Sequence, residues 1–334
     1  MISIVGAGSW GTALAIHLGR AGAAVRLCAR AAHVAEAISA RRRNPWYLSD
    51  LEIPSSVEAT ADAAAALADA ELVILAVPSE FFAATLTRLT PASHAAVVSA
   101  TKGFDPARHL RMSELLRERF ADAPLAVLSG PTFAREVAMA RPAAAVIASA
   151  DAALATELQA RLGSRELRLY TNRDLIGVET GGALKNVMAI ATGIADGLGL
   201  GENARAALVT RGLAEMTRLA VALGGEPSTL AGLAGLGDLV LTATGTLSRN
   251  RALGMALARG DSLARAAAST RMVAEGVPTV RTALALAAVH HISMPICDEV
   301  AAVLFRQKAP AEALASLLGR APTREDATTG GRRA

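Results

Sequence analysis

The sequence predicts an α/β protein in which a doubly wound, mostly parallel sheet is followed by a second, all-α domain. Short apolar runs alternate with helical stretches through the first half of the 334-residue chain, a glycine-rich loop follows the first run, and strand signals stop after Glu179. A chain of this length exceeds what one hydrophobic core usually organises. We therefore predict a first domain over residues 1–178, a second over 179–320 and a disordered tail over 321–334.

The strands of the first domain are predicted from apolar runs bounded by glycine, proline or polar residues. Such runs suit the strands of a parallel sheet, which are buried on both faces. The segments between them, among them Ser9–Arg20 and Ala61–Ala70, are predicted to be helices. The predicted strands are Met1–Val5, Ala24–Ala29, Leu72–Val77, Ala95–Ala100, Leu125–Ser129, Ala143–Ser149 and Leu167–Tyr170.

The helices of the second domain are predicted from apolar spacing and from their end signals. In Ala204–Leu223, apolar residues recur at three- and four-residue intervals, and the stretch ends in Gly224–Gly225, a helix stop. Pro278 suits a helix start, because proline is tolerated in the first turn. The other predicted helices are Ser248–Arg259, Pro278–His291 and Cys297–Arg306.

Composition and charge restrict the partners of this protein. The net charge is +4 and only 3% of residues are aromatic. Because no basic run is interleaved with aromatics, this charge suits small anionic molecules and not nucleic acid. Acidic residues interrupt the apolar stretch Ala61–Pro78, so no stable membrane insertion is expected. Two distant cysteines, Cys28 and Cys297, predict reduced thiols in a cytoplasmic protein.

The motif Gly6-Ala7-Gly8-Ser9-Trp10-Gly11 directly follows the first predicted strand and opens a helix. Gly6 allows a tight turn, Gly8 lets a pyrophosphate approach the backbone, and Gly11 lets helix and strand pack closely. The N–H groups and the dipole of the helix N-terminus favour phosphates. The motif therefore predicts a Rossmann-type dinucleotide-binding domain.

Arg30 follows the second predicted strand, where a site for NAD(H) alone usually has an acidic residue that holds the ribose 2′-hydroxyl. An arginine cannot accept those hydrogen bonds, but it can pair with a 2′-phosphate and stack on adenine. We therefore expect NADP(H) to be accepted as well as NAD(H).

Several polar residues lie where a ligand is expected. Lys102 and Thr132 follow predicted strands, at the carboxyl edge where open α/β sheets bind ligands. Lys185 is predicted to lie early in a helix whose first turn contains Gly181 and Gly182, which allow close approach. Each lysine taken alone is more typical of a solvated surface.

A second anion site is predicted at Ser248-Arg249-Asn250, which precedes a helical stretch. A hydroxyl, a guanidinium and an amide at a helix start can receive a phosphate, although an ordinary N-cap is an equal alternative. We predict no metal site, because the pair His290-His291 has no cysteine or carboxylate at ligand spacing nearby.

Six segments together resemble bacterial NAD(P)-dependent glycerol-3-phosphate dehydrogenase, in order from about residue 2 to 310. The last four are more specific than the glycine loop. The loop Ser49–Glu52 and Ala243 depart from the family's pattern without touching the predicted chemistry. The segments are GAGSWGTALA, TKGF, GPTFAREVA, LKNVMAIATGIADGLGLGENARAALVTRGLAEM, AGLGDLVLTATGTLSRNR and VAEGVPT.

The resemblance implies a reduction of dihydroxyacetone phosphate to sn-glycerol 3-phosphate for phospholipid synthesis in the cytoplasm, by an enzyme that is often a homodimer. Lys185 corresponds to the acid–base residue, and Asp238 would orient this lysine or a substrate hydroxyl. The implied substrate-binding residues are Lys102, Gly130, Thr132, Lys185, Asp238, Ser248, Arg249 and Asn250. The implied cofactor-binding residues, beyond the three glycines, are Ser9, Trp10, Arg30, Lys102, Ala134, Arg249, Val273 and Glu275.

Two alternatives remain open at this point. Another two-domain dehydrogenase, of the 6-phosphogluconate or β-hydroxyacid type, would share the glycine loop and the helical second half. A non-catalytic NAD(P)-binding sensor would share the fold but would be expected to have lost Lys102, Lys185, Asp238 and Arg249, which are all present.

Overall fold

The structure, a computed structural model, describes residues 1–92, 94–268 and 274–321. The chain divides into two compact units. The sheet unit comprises Met1–Thr101 and Met112–Leu175, and the helical unit comprises Lys102–Arg111 and the residues from Ile176 onward. The segment Lys102–Arg111 therefore belongs to the helical unit, although the sequence predicted it within the first domain, residues 1–178. From residue 322 on, the tail predicted to be disordered lies outside the described residues.

The sheet unit is built on one sheet of eight strands, ordered β3-β2-β1-β4-β5-β6-β7-β8 within the described residues. All neighbouring strands are parallel except β6 and β7, which are antiparallel. The strands are β1 Ile2–Val5, β2 Val25–Cys28, β3 Val57–Thr60, β4 Leu72–Leu75, β5 Ala96–Ser99, β6 Leu125–Ser129, β7 Ala143–Ala148 and β8 Leu167–Asn172.

The order of β3 to β6 is that of a doubly wound dinucleotide-binding sheet. The predicted Rossmann-type, mostly parallel sheet is confirmed. The central strands β1, β4 and β5 are buried at every position and are apolar except at Ser3 and Ser99, because helices cover both faces of the sheet. β3 was not predicted, since its sequence Val-Glu-Ala-Thr is half polar. It lies at the edge of the sheet, where Glu58 is exposed.

Helices connect most of these strands. Asp62 and Asp151 each cap a helix by accepting hydrogen bonds from backbone N–H groups of its first turn, which satisfies donors that have no partner within the helix. The helices of the sheet unit are α1 Ser9–Arg20, α2 Ala32–Arg41, α3 Ala63–Leu67, α4 Ser79–Leu86, α5 Met112–Arg119, α6 Ala134–Ala138 and α7 Ala152–Leu162.

The described part of the helical unit is all α, as predicted. It contains a π-helical turn, Leu233–Gly237, between two of its helices. Its α-helices are α8 Leu175–Gly197, α9 Gly201–Ala222, α10 Pro227–Leu230, α11 Asp238–Thr244, α12 Arg249–Ala258, α13 Leu263–Ala268, α14 Gly276–Val289, α15 Pro295–Phe305 and α16 Pro310–Leu318.

α8 is the buried central helix of this unit, since its residues from Gly177 to Ala195 are all buried. It crosses α12 with the two backbones in contact. A Cβ atom at Gly193 would lie 2.1 Å from the carbonyl oxygen of Arg251, and one at Gly254 would lie 2.2 Å from that of Ile190. Only glycine fits at such distances, so this pair of glycines allows the N-terminal part of α12 to lie against α8.

The position of Lys185 differs from the prediction. The helix that carries it begins at Leu175, so Lys185 lies near its middle and Gly181 and Gly182 lie in its second turn. Asp174, a residue type that favours helix N-caps, directly precedes Leu175, and the prediction placed the start too late because it overlooked this signal.

One further property concerns membranes. Across residues 1–92, 94–268 and 274–321, no single helix is long and apolar enough to cross a membrane; one bent pair, Pro227–Thr244 with Arg249–Ala258, meets those limits only when its two parts are taken together.

Candidate active site

The glycine loop between β1 and α1 has the geometry that a dinucleotide needs. Gly6 has a φ of +111°, and a Cβ atom there would lie 2.7 Å from the carbonyl oxygen of Ala76 on the neighbouring strand's continuation. At Gly11 a Cβ atom would lie 1.8 Å from the carbonyl oxygen of Gly6. At Gly8, which is the N-cap of α1, a Cβ atom would meet nothing within 4 Å. Gly6 and Gly11 close the turn. Gly8 leaves open space at the N-terminus of a helix, and this space fits a pyrophosphate.

Ser9 and Trp10 form the first turn of α1. The indole Nε1 of Trp10 is buried and has no hydrogen-bond partner within the described residues. A buried N–H group usually has a partner, so this donor is consistent with a ligand at the loop. The residues of the loop therefore fit the predicted cofactor.

Arg30 lies just beyond β2 and is exposed. Its guanidinium carbon lies 5.9 Å from the ring centroid of Phe81, near the start of α4, and Phe81 is itself 44% exposed. A cation over an exposed aromatic ring is a surface on which an adenine can stack. Phe81 was not predicted, because a phenylalanine in an apolar helix is more typical of a core.

The backbone of the segment that follows β6 lies close to the neighbouring strand β7. Gly130 has a φ of +137°, and a Cβ atom there would lie 2.9 Å from the Cα atom of Ala145 in β7. Thr132 donates from Oγ1 to the carbonyl oxygen of Gly130 at 3.1 Å. Ala134 is the first residue of α6, and Phe133 is its N-cap.

Two lysines of the helical unit converge on one carboxylate. Lys102 Nζ donates to Asp238 Oδ2 at 2.7 Å, and Lys185 Nζ donates to Asp238 Oδ1 at 2.8 Å. Lys185 Nζ also donates to Thr242 Oγ1 at 2.7 Å. Thr242 lies one turn after Asp238 and donates to Oδ1 at 3.3 Å. The side chain of Asp238 is 1% exposed and that of Lys185 is 8% exposed, so this cluster is withdrawn from solvent.

The protonation of this cluster is set by burial and by mutual charge. Burial lowers the pKa of Lys185 to about 8, and the charges of Lys102 and Arg249 act in the same direction, while Asp238 opposes them. Burial alone would raise the pKa of Asp238, but the positive charges of the two lysines outweigh it and hold that pKa below its ordinary value. The arrangement is therefore a carboxylate that orients an amine whose proton can be exchanged near neutral pH.

The π-helical turn places Asp238 against α8. A Cβ atom at Gly181 would lie 2.7 Å from the carbonyl oxygen of Ala234 in this turn. Because Gly181 is one turn before Lys185 on the same face of α8, its lack of a side chain lets the backbone that leads into Asp238 come close to the lysine. π-helical turns are frequent next to functional residues for this kind of reason.

The start of α12 differs in detail from the predicted phosphate receptor. Ser248 is the N-cap, and its Oγ accepts a hydrogen bond from Arg251 N at 3.2 Å. Asn250 donates from Nδ2 to Asn186 Oδ1 at 2.9 Å, and its Oδ1 accepts from Gly276 N at 3.0 Å. The amide of Asn250 therefore joins α8, α12 and α14. It has one remaining N–H for a ligand, since the amide nitrogen carries two.

The remaining predicted cofactor residues lie elsewhere in the helical unit. Arg249 is the first residue of α12, and its charge acts on Lys185. Glu275 is the N-cap of α14. Val273 lies outside the described residues. Among residues 1–92, 94–268 and 274–321, the structure brings together no group of three or more histidine, cysteine or acidic side chains that could hold a metal ion.

One signal in the sequence could have strengthened the assignment of this cluster. The chain has 34 lysines and arginines, of which three are lysines, namely Lys102, Lys185 and Lys308. A chain that uses arginine almost everywhere keeps two of its three lysines on one buried aspartate. An arginine cannot lose its proton in proteins, whereas a lysine can when it is buried. Thr242, by contrast, carries no signal that separates it from other helix threonines.

The doubly wound sheet with its glycine loop, together with a helical unit that buries a lysine–aspartate cluster, defines a nicotinamide-dependent dehydrogenase with an α/β and an all-α part. Models described as NAD-dependent glycerol-3-phosphate dehydrogenase match residues 1–155 with the N-terminal part and residues 174–315 with the C-terminal part. The chain belongs to this family, and the resemblance drawn from the sequence is confirmed.

Individual relatives agree. The chain is 50% identical over 332 residues to glycerol-3-phosphate dehydrogenase [NAD(P)+] of Koribacter versatilis, with 97% of this chain and 98% of that protein covered. It is 49% identical over 321 residues to the Rhodospirillum rubrum protein of the same name, with 96% and 92% covered. The prediction of an NAD(P)-dependent oxidoreductase is confirmed, and the two alternatives are not favoured.

Solved structures show the same similarity. The glycerol-3-phosphate dehydrogenase of Coxiella burnetii superimposes with a TM-score of 0.91 at 40% identity, over 96% of this chain and 98% of that one. The Plasmodium falciparum enzyme, at 22% identity, gives a TM-score of 0.85 over 97% and 96% of the two chains and supports the fold alone.

Proposed function

We propose that this protein interconverts dihydroxyacetone phosphate and sn-glycerol 3-phosphate with NADP(H) or NAD(H). The observation that carries the proposal is the contact of Lys102 and Lys185 with Asp238, in a chain of the glycerol-3-phosphate dehydrogenase family. This cluster supplies a proton carrier and positive charge, which the reduction of a phosphorylated ketone requires.

Lys185 is the proposed acid–base residue. During reduction its ammonium gives a proton to the alkoxide that forms at C2, and during oxidation its amine takes that proton back. The bound nicotinamide cofactor supplies or accepts the hydride. A lysine with a pKa of about 8 is suited to both directions, because a proton carrier works best when its pKa is near the working pH.

Asp238 and Thr242 hold the amine of Lys185 in place. Asp238 accepts from both lysines, so it fixes the direction of the Lys185 Nζ group and balances part of the local charge. Lys102, at 16% exposed, is the more accessible of the two lysines. We assign to it the polarisation of substrate oxygen atoms, and also contact with the cofactor.

The substrate phosphate is proposed to bind the start of α12. Arg249 supplies a fixed charge and a planar guanidinium, and the helix dipole favours an anion at this end. The remaining N–H of Asn250 can contribute a further hydrogen bond. Gly130 and Thr132 of the sheet unit stay proposed substrate-binding residues, on the resemblance of their motif.

The cofactor is proposed to bind the sheet unit at Gly6, Gly8, Ser9, Trp10 and Gly11, with Ala134 as a further contact and Arg30 at the adenosine end. Because Arg30 can pair with a 2′-phosphate, we infer that NADP(H) is used. Val273 and Glu275 remain proposed cofactor residues of the helical unit. We also propose that the protein works in the cytoplasm as a homodimer and supplies sn-glycerol 3-phosphate for phospholipid synthesis.

The test is a substrate panel with NADPH oxidation followed by absorbance. We expect turnover with dihydroxyacetone phosphate, little with unphosphorylated dihydroxyacetone, and none with 3-oxoacids or with 6-phosphogluconate in the reverse direction. Turnover of an oxoacid in preference to the triose phosphate would favour the related dehydrogenases. Cofactor binding without turnover of any substrate would favour a sensor.

A further inference from the structure

The segment Lys102–Arg111, which we call the lysine loop, carries Lys102 and is part of the helical unit. Phe104 pairs with Arg111 in an isolated antiparallel bridge, so the two ends of the loop are held together. The side chain of Phe104 is 1% exposed and belongs to the core of the helical unit. Lys102 therefore stands two residues from an anchored point.

The far end of the lysine loop is tied to α8 by an ion pair. Arg111 Nη1 lies 3.2 Å from Glu179 Oε2, and the side chain of Glu179 is 2% exposed. Glu179 is six residues before Lys185 on the same helix, about 9 Å along its axis. The helix that carries the proposed proton donor thus also carries the carboxylate that holds the lysine loop.

A third contact fixes the loop from another helix. His109, which has a φ of +59°, lies with Nδ1 3.2 Å from Thr282 Oγ1 of α14. Within the loop, Asp105 N donates to Leu110 O at 2.8 Å, and Asp105 Oδ2 accepts from Arg108 N at 2.7 Å. The loop is therefore internally braced, and the ion pair of Arg111 with Glu179 ties it to α8.

We propose that Arg111 and Glu179 are positioning residues, which hold the lysine loop so that Lys102 stays on Asp238 and beside Lys185. The consequence for catalysis rests on the proposed function, whereas the placement of Lys102 does not. Neither residue is assigned a contact with substrate or cofactor.

The energetics of the pair favour this role over simple stabilisation. Burying two charges costs desolvation that offsets their attraction, so a buried ion pair is a weak source of net stability. What it does provide is direction, because a guanidinium and a carboxylate pair in a defined geometry. A lysine side chain has a flexible stem, so its ammonium stays in one place only if the backbone beneath it is fixed.

The three lysines of this chain make a direct test possible. Protein labelled with ¹³C at lysine Cε has three side-chain signals to titrate by NMR, and Lys308→Arg identifies one of them. Lys102→Met identifies a second and shows how far the titration midpoint of Lys185 moves when the positive charge of Lys102 is removed. Removal of a neighbouring positive charge raises the pKa of Lys185, so we expect an upward move of roughly one unit.

The informative variant is Glu179→Gln. If the lysine loop is released, the charge of Lys102 leaves the neighbourhood of Lys185, and the midpoint of Lys185 rises as it does in Lys102→Met. The direct effect of removing the Glu179 carboxylate has the opposite sign, because losing a negative charge lowers the pKa of a lysine. An upward move must therefore come through Lys102. We also expect the KM for dihydroxyacetone phosphate to rise roughly 3- to 10-fold, the size of one lost hydrogen bond.

A second variant covers the case in which Arg111 without its partner prevents folding. Glu179→Ala combined with Arg111→Ala removes both charges of this ion pair together, and the same upward move of the Lys185 midpoint is expected. Arg111→Lys, which keeps the charge, is expected to restore most of the parent behaviour. A midpoint of Lys185 that stays at the parent value in folded Glu179→Gln, or in the double variant, overturns the proposal.

The matched control is Glu299→Gln. Glu299 forms an ion pair with Lys308, in which Oε2 lies 2.7 Å from Nζ. Both residues are far along the chain from the lysine loop. This variant is expected to leave the titration midpoint of Lys185 unchanged. Since the NMR titration needs no turnover, the proposed function and the positioning role can fail separately: an enzyme inactive on dihydroxyacetone phosphate contradicts the former, and an unmoved Lys185 midpoint contradicts the latter.

Discussion

Lys185 and Asp238 form an ion pair of 2.8 Å in which both side chains are more than nine-tenths buried. A lone lysine at such a depth would lose its proton, and a lone aspartate would gain one, since burial disfavours the charged form of each. Together they remain charged, but the balance is close. A change in the charge around this pair therefore changes the protonation state of Lys185.

The pH dependence of the two reaction directions is the first prediction. With Lys185 as the proposed proton donor, the kcat of reduction is expected to fall as the pH rises through about 8. With its neutral amine as the proposed base, the kcat of oxidation is expected to rise over the same range. Steady-state rates in both directions from pH 6.5 to 9.5 measure this. Asp238→Asn removes the negative charge that raises the pKa of Lys185, so both limbs are expected to move to lower pH.

Removing Lys185 itself supplies the control. Lys185→Ala is expected to lower kcat roughly 10²- to 10⁴-fold, the usual contribution of a general acid–base group, while binding of NADPH followed by fluorescence persists. Turnover within a few fold of the parent would exclude Lys185 as the proton carrier and leave Lys102 as the candidate.

Cofactor choice is the second prediction. Arg30→Asp is expected to weaken NADPH by about 1.5–3 kcal/mol, the loss of one charge-assisted contact, and to affect NADH much less. The KM values for the two cofactors measure it. Arg88→Asp, at another exposed arginine of the sheet unit, separates this contact from a general change of charge. Equal losses for both cofactors in Arg30→Asp would contradict a contact with the 2′-phosphate.

The sequence was sufficient for the first βα unit. The helix over Ser9–Arg20 was predicted with the bounds that the structure has, because a strand, a glycine turn and the helical stretch that follows agreed with one another. β3 was missed because an edge strand need not be apolar on both faces, so Glu58 weakened its signal. What is local in sequence was therefore predicted, and what depends on neighbouring strands was not.

The same distinction applies to the candidate site. Lys102, Lys185 and Asp238 were all named from the sequence, but no local pattern shows that 53 residues of chain close to bring Lys185 to Asp238. Nor does a pattern show that Lys102–Arg111 belongs with the helices, since this follows from the burial of Phe104 in their core. Contacts between distant segments are the part that no local pattern predicts.

A pH-dependent stability is the third prediction, and it concerns Glu215 of α9. Its carboxylate accepts hydrogen bonds from Ile296 N and Cys297 N at the start of α15, at 2.8 and 3.3 Å. Burial raises the pKa of Glu215 from its ordinary 4.5 to about 7. The folded state therefore binds more protons than the unfolded state between these values, so Glu215 destabilises the fold as the pH rises from 4.5 to 7.

Glu215→Gln is expected to remove this contribution, which amounts to about 1.4 kcal/mol per pH unit within the window. The free energy of unfolding, measured with urea at intervals from pH 4.5 to 7.5, gives the difference between variant and parent. As the pH rises, the free energy of unfolding of the variant should exceed that of the parent by a growing amount. Glu312→Gln, at an exposed carboxylate, should give a flat difference. A flat difference for Glu215→Gln as well would show that Glu215 stays ionised in the fold.

The fourth prediction concerns Asn250, whose amide joins Asn186 to Gly276. Asn250→Ala leaves a buried acceptor and a buried donor without partners, at about 1–3 kcal/mol each. Asn186 adjoins Lys185, and Gly276 adjoins Glu275. We therefore expect the substitution to weaken the binding of both the substrate and the cofactor. The KM values for dihydroxyacetone phosphate and NADPH should both rise, and the midpoint of thermal unfolding should fall.

Asn250→Asp separates the phosphate contact from this structural role. An aspartate keeps an oxygen for Gly276 N, and the amide of Asn186 can turn to donate to the other oxygen, so the fold is retained. The new negative charge faces whatever binds the start of α12. If the substrate phosphate binds there, kcat/KM for dihydroxyacetone phosphate falls at least about 10-fold, the order of one lost charge-assisted hydrogen bond, while that for unphosphorylated dihydroxyacetone is unchanged. Equal losses with both ketones would mean that Asn250 does not face the phosphate, because a residue that acts on the phosphate has no effect when the phosphate is missing.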